Sequence, residues 1–146
     1  MTYIEQRNEL LQELNALEKA NPITKVSKPS DVYSSLRKYG KKKQEHFLLV
    51  CLDGANQVVK IKVITKGILN RTVIHPREVF RPAIINNSAS VIIAHNHPSG
   101  SIEPSREDIE LTERMVEAGK ILGIAVIDHL IITETKFYSF SENNKL

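Results

Sequence analysis

Apolar positions follow two rhythms along this chain. From Tyr3 to Lys19, Ile4, Leu10, Leu11, Leu14 and Leu17 recur at helical spacing among Glu, Gln and Asn, which predicts one apolar stripe on a helix. Asn21-Pro22 stops it, and the segment to Pro29 reads as a linker. A second helix is expected with Ser30 as N-cap, Val32, Tyr33 and Leu36 inside, and Gly40 at its end. From Phe47 the period shortens. Phe47 to Leu52, a turn near Asp53 to Asn56, and Val58 to Thr65 predict a β-hairpin whose second strand alternates Val59, Ile61 and Val63 with Lys60 and Lys62. A third strand is expected over Ile68 to Ile74.

His75-Pro76 opens a helix carrying Val79, Phe80, Ala83 and Ile84; Pro82 should weaken or kink it, and Asn86-Asn87 ends it. Ser90 to His95 reads as a buried strand and Asn96 to Pro104 as a loop. A helix follows from Ser105, with Ile109, Thr112, Met115, Val116 and Leu122 inward and Gly123 at its end. Ile124 to Thr133 and Phe137 to Phe140 complete the strands. The sum is a mixed α/β domain over residues 30–146, preceded by an amphipathic helix and linker over 1–29. That first helix suggests self-association into a homo-oligomer.

Composition narrows the class. With 41% hydrophobic and 25% charged residues, the chain is not disordered throughout. It has no apolar run long enough to cross a membrane and no signal-peptide core, so a cytoplasmic protein is expected. The single Cys51 excludes an internal disulfide and any site of several thiolates. A net charge of +3 is too small to mark a nucleic-acid binder by itself. The one basic cluster, Lys41-Lys42-Lys43 near Arg37 and Lys38, reads as a solvated turn or as a phosphate- or partner-contacting patch.

The chemistry gathers where the buried strand runs out. His95 and His97 stand two apart on an extended chain, so both rings point one way. Asp108 follows in the first turn of the next helix, and the Pro-rich loop between can fold it back. Two imidazoles and one carboxylate with an open fourth position make a catalytic zinc site. A capping box, with Ser105 as N-cap and Asp108 three residues on, accounts for both residues without any metal. Glu78 lies in a first helical turn, where a carboxylate favourably meets the helix dipole. Asp128-His129 reads as a buried hydrogen-bonded pair.

Residues 95–108, His-Asn-His-Pro-Ser-Gly-Ser-Ile-Glu-Pro-Ser-Arg-Glu-Asp, resemble the RadC family of the JAB/MPN superfamily. The JAMM metalloproteases of that superfamily share H-x-H, seven residues, Ser, two residues, Asp, matched by His95, His97, Ser105 and Asp108. Glu45-His46-Phe47, His75 to Phe80, Gly123-Ile124 and Asp128 to Ile131 extend the likeness over about residues 30 to 145. The resemblance implies a cytidine-deaminase-like α/β fold, with helices flanking a mixed, curved sheet. It implies one zinc ion per chain, held by His95, His97, Asp108 and a water. It also implies Glu45 as general base, with Glu78 as its rival, and Ser105 as an oxyanion donor. The activity so implied is a zinc metallohydrolase, a JAMM-type peptidase or isopeptidase acting on a peptide or protein. A DNA-repair accessory protein with a structural or vestigial metal, or a metal-dependent nuclease, are the alternatives. Many RadC proteins carry an N-terminal helix-hairpin-helix region; this chain is expected to be a short form without it.

Overall fold

The computed structural model describes residues 2–20, 25–67 and 74–146, the side chains of 14–20 excepted. The elements run α1 (Tyr3–Ala20), α2 (Pro29–Gly40), β1 (His46–Leu52), β2 (Val58–Lys66), α3 (Pro76–Ile85), β3 (Ser90–Asn96), α4 (Arg106–Leu122), β4 (Ala125–Ile132) and β5 (Phe137–Ser139). The five strands form one sheet in the order β2-β1-β3-β4-β5. Only the β3–β4 pairing is parallel, with α4 as its crossover; the other neighbours are antiparallel.

β1 and β3 are buried along their whole length, with apolar runs Phe47–Leu52 and Val91–Ala94, because the sheet is covered on both faces. Phe47, Leu49, Cys51, Val91 and Ile93 face α3 and α4, where they meet Val79, Phe80, Leu111 and Met115. Leu48, Val50, Leu52, Ile92, Ala94, Leu130 and Ile132 face α2 and meet Val32 and Leu36. Each of those two helix residues, all but fully buried, contributes about 1.5–3 kcal/mol of apolar burial, enough to seat a helix of three turns. Gly40 lets α2 close on β4, since a Cβ there would stand 2.3 Å from the Thr133 carbonyl oxygen. The β1–β2 turn is built by Asp53, whose Oδ1 accepts the amides of Ala55 and Gln57.

Several expectations need correcting: Ile84, expected on the apolar side of α3, is exposed, and on β2 Val59 and Val63 are exposed while Ile61 and Ile64 are partly buried. The N-cap of α2 is Lys28, not Ser30. Pro29, with its preset φ and no N–H, takes the first helical position, and the Asp31 carboxylate accepts the amides of Ser27 and Lys28. Leu122 is 48% exposed rather than inward, while Leu111 is buried. The chain turns back at Gly123 (φ 71°) and seats Ile124 in the core beside Gly119, filling the place expected for Leu122. The described apolar side chains of α1 (Tyr3, Ile4, Leu10 and Leu11) are all exposed. Leu14, Leu17 and the expected stop at Asn21-Pro22 fall outside the described residues or side chains, as does the expected strand over Ile68 to Ile74 except for Ile74, which is buried and in no strand. No helix among the described residues is long and apolar enough to cross a membrane.

Candidate metal centre

Sheet topology fixes where the candidate residues meet. The parallel pair β3–β4 ends beside β1, and α4 starts above those ends. Ligands of open α/β sheets bind at such a position, outside the carboxyl ends of parallel strands. His95 is the penultimate residue of β3, on the α4-facing side with Val91 and Ile93. His97 follows the strand, its amide bonded to the Ile132 carbonyl. Glu45 directly precedes β1. Phe47 pairs with His95, so extending the register by two residues sets Glu45 opposite His97.

Asn96 anchors this approach. Its side-chain oxygen accepts the His46 amide, and its Nδ2 donates to the carbonyls of Lys42 and Gln44. One buried amide therefore holds the whole segment that leads into Glu45. Glu45, His95 and His97 bring one ligand atom each within 4.8 Å of one another and form a group able to hold a metal ion.

Asp108 reaches the same spot from α4. Its Oδ1 lies 3.2 Å from His95 Nε2 and its Oδ2 lies 3.3 Å from His97 Nε2, with the carboxylate fully buried. The capping box forms too: Asp108 Oδ2 accepts the Ser105 amide, and Ser105 Oγ accepts the Asp108 amide. Capping and convergence on the imidazoles are thus properties of one side-chain conformation, not rival explanations. Cap formation uses Ser105 Oγ as an acceptor and leaves its hydroxyl proton to donate.

The electrostatics suit a cation. His97 Nδ1 lies 2.8 Å from the Ser101 carbonyl, which can only accept, so Nδ1 carries a proton; Nε2 donates to the Asp108 carboxylate when the ring is protonated and offers its lone pair when the ring is neutral. His95 Nε2 and His97 Nε2 stand 2.8 Å apart. Ligand atoms around a tetrahedral zinc stand roughly 3.3–3.4 Å apart, given bonds of ~2.0–2.1 Å. The nitrogen–oxygen separations match that edge. The nitrogen–nitrogen separation is shorter and suits a shared proton. A proton and a metal ion thus compete for one position. Burial pulls the His97 pKa down, but hydrogen bonding to Asp108 and Ser101 and the charges of Asp108 and Glu45 overcome it and hold it raised. Burial likewise pushes Asp108 up, and its bonds to both histidines override that, holding the carboxyl far below the ordinary carboxylate range. Anionic oxygens and imidazole lone pairs crowded in a dry site constitute the donor set of a divalent cation.

Other candidates fall elsewhere. Glu78 is exposed in the first turn of α3 and is not part of the metal-holding group. Asp128 is buried, accepting from the His129 and Ser141 amides and the Ser139 hydroxyl. Cys51 is buried in the core. Two participants were not identifiable from sequence patterns. His129, read as half of a buried pair, lies with Nε2 at 2.8 Å from His95 Nδ1. Thr112, read as core, touches His129 Nδ1 through its hydroxyl. The missing signal is register: β4 lies parallel to β3, and only that pairing sets Ile93 opposite His129, one step down the face from His95.

Comparison with known proteins bears on the same residues. Residues 26–146 match the RadC-like JAB domain. The chain is 51% identical over 122 residues to a UPF0758 protein of Methanosarcina barkeri, which covers 83% of this chain and 53% of that protein. A UPF0758 protein of Rubrobacter xylanophilus is 48% identical over the same shares. One of Clostridium perfringens is 48% identical, covering 84% of this chain and 54% of its own length. The chain thus spans about half the length of these relatives. With its five-stranded mixed sheet flanked by helices, and with the match running through His95, His97 and Asp108, the chain belongs to the RadC family of JAB domains.

Proposed function

We propose that this domain is a zinc-dependent hydrolase of peptide or isopeptide bonds. The observation that carries the reading is the convergence of His95 Nε2, His97 Nε2 and both Asp108 oxygens, with Glu45 beside them. His95, His97 and Asp108 are the zinc ligands in this reading. A zinc ion bound there supplies Lewis acidity and lowers the pKa of a coordinated water toward ~7. Glu45, half-buried at the mouth, takes a proton from the attacking water and passes it to the leaving amine. Ser105, held in place by its cap bond, donates its hydroxyl proton to the oxygen that becomes negative as the carbonyl turns tetrahedral. Asn96 keeps Glu45 in register with His97.

The rival reading, DNA binding around a structural metal, rests on the exposed Lys41, Lys42 and Lys43. Three lysines in a solvated turn are ordinary and carry less weight than inward-facing ligand atoms.

Purified protein should contain zinc. It should cleave members of a set of linear peptides and lysine-linked isopeptides, scored by mass spectrometry, lose that cleavage on chelation and regain it on adding zinc. Cleavage that survives complete removal of metal would defeat the proposal.

A further inference from the structure

From the hydrogen-bond directions beneath the site, we infer that Thr112 and His129 are positioning residues that lock His95 in its Nδ1–H tautomer and hold its Nε2 open for a metal ion. One group beneath the site has no choice of role. The Asp108 backbone carbonyl can only accept, and Thr112 Oγ1 lies 2.7 Å from it, so the threonine proton goes there. Back-bonding of this kind is common for threonine in helices. What is particular here lies on the other side of the hydroxyl, where His129 Nδ1 is in close contact. The single hydroxyl proton is already spent on the carbonyl, so His129 Nδ1 is the donor and its Nε2 is bare. That bare nitrogen lies 2.8 Å from His95 Nδ1, which therefore donates. In the neutral ring His95 Nε2 then carries no proton, and its lone pair faces His97 and Asp108 at the position for which a proton and a metal ion compete.

The chain of donors is closed at both ends on one residue. Asp108 anchors the relay through its carbonyl and meets the exposed end of His95 through its carboxylate. Helix α4, strand β4 and strand β3 each supply one link, so tautomer and ring position are set by the fold itself. His95, His129 and Asp108 are fully buried and Thr112 is 2% exposed, so water has little access to replace a missing link. Phe140 stacks on His129 at 4.6 Å and 11°, and Phe47 stacks beside His95, which fixes the ring planes. A metal takes an imidazole only through a bare nitrogen, and partners that orient ligating imidazoles are worth ~10–100-fold in affinity.

This inference rests on the metal reading, and its test separates the two. Zinc affinity is measured by competition with a chromophoric chelator for the wild type, Thr112→Val, Thr112→Ser and His129→Leu. Tautomers of the metal-free protein are read from long-range ¹⁵N–¹H correlations at a pH well above the usual imidazole range. We expect His95 and His129 both to be Nδ1–H in the wild type. Thr112→Val and His129→Leu should each weaken zinc binding by ~10–100-fold, and Thr112→Ser should restore it to within a few-fold of wild type. Unchanged affinity in both Thr112→Val and His129→Leu, or an Nε2–H tautomer at His95, overturns the inference while leaving the metal site standing. A wild type that binds no zinc overturns the metal reading instead, and the tautomer measurement still decides whether the relay exists.

Discussion

Exchanging Glu45 for Gln should leave zinc bound and lower turnover by ~10²–10⁴-fold, the usual contribution of a positioned general base. The glutamine keeps the size of the side chain and an acceptor oxygen but takes no proton at neutral pH. The geometry makes this exchange informative because Glu45 stands within 4.8 Å of the two histidine ligand atoms and so has two conceivable roles there. As a base it is dispensable for metal binding. As a ligand it is not. Metal content and turnover of the same preparation therefore divide the outcomes. Zinc retained with turnover lost assigns the base. Zinc lost assigns a ligand. Zinc and turnover both retained would remove Glu45 from the chemistry, and Glu78→Gln would be the next variant to measure.

Asp108→Ala should abolish stoichiometric zinc and with it all metal-dependent cleavage. It removes the carboxylate that meets both imidazoles, and it removes the acceptor of the Ser105 amide. The second loss costs about 1 kcal/mol of stability, typical of a helix cap. His97→Ala is the control. It takes away one imidazole without touching the capping box, so it should lose zinc while the Ser105–Asp108 cap of the metal-free protein stays in place. Metal content by mass spectrometry and chemical unfolding of the metal-free proteins check the pair. Full zinc occupancy in either variant would contradict the ligand assignment.

Much of the fold could be read from the chain because local chemistry and tertiary role agreed. Gly123 ends α4 with a positive φ, the apolar run at Phe47 is a doubly covered strand, and Ser105 caps the helix that Asp108 begins. Agreement failed where a contact depended on packing. Leu122 has the right periodicity to face inward, yet Ile124 takes its place after the turn. Within the site, the His-x-His spacing and the capping box made His95, His97, Ser105 and Asp108 visible, since strand and helix periods dictate where such residues point. Glu45 came from resemblance alone, and the structure gives the physical reason for its position: register with His97 and the grip of Asn96. His129 and Thr112 were invisible as site residues because their roles arise from the parallel pairing of β3 with β4 and from α4 lying across it.

The central claim is that a single divalent cation is held between β3 and the first turn of α4. Anomalous diffraction at the zinc absorption edge tests it most directly. One peak per chain is expected, within ~2.0–2.2 Å of His95 Nε2, His97 Nε2 and an Asp108 carboxylate oxygen. Zinc-loaded crystals with no peak there, or with Asp108 bonded only to the Ser105 amide and turned from the metal, would contradict it.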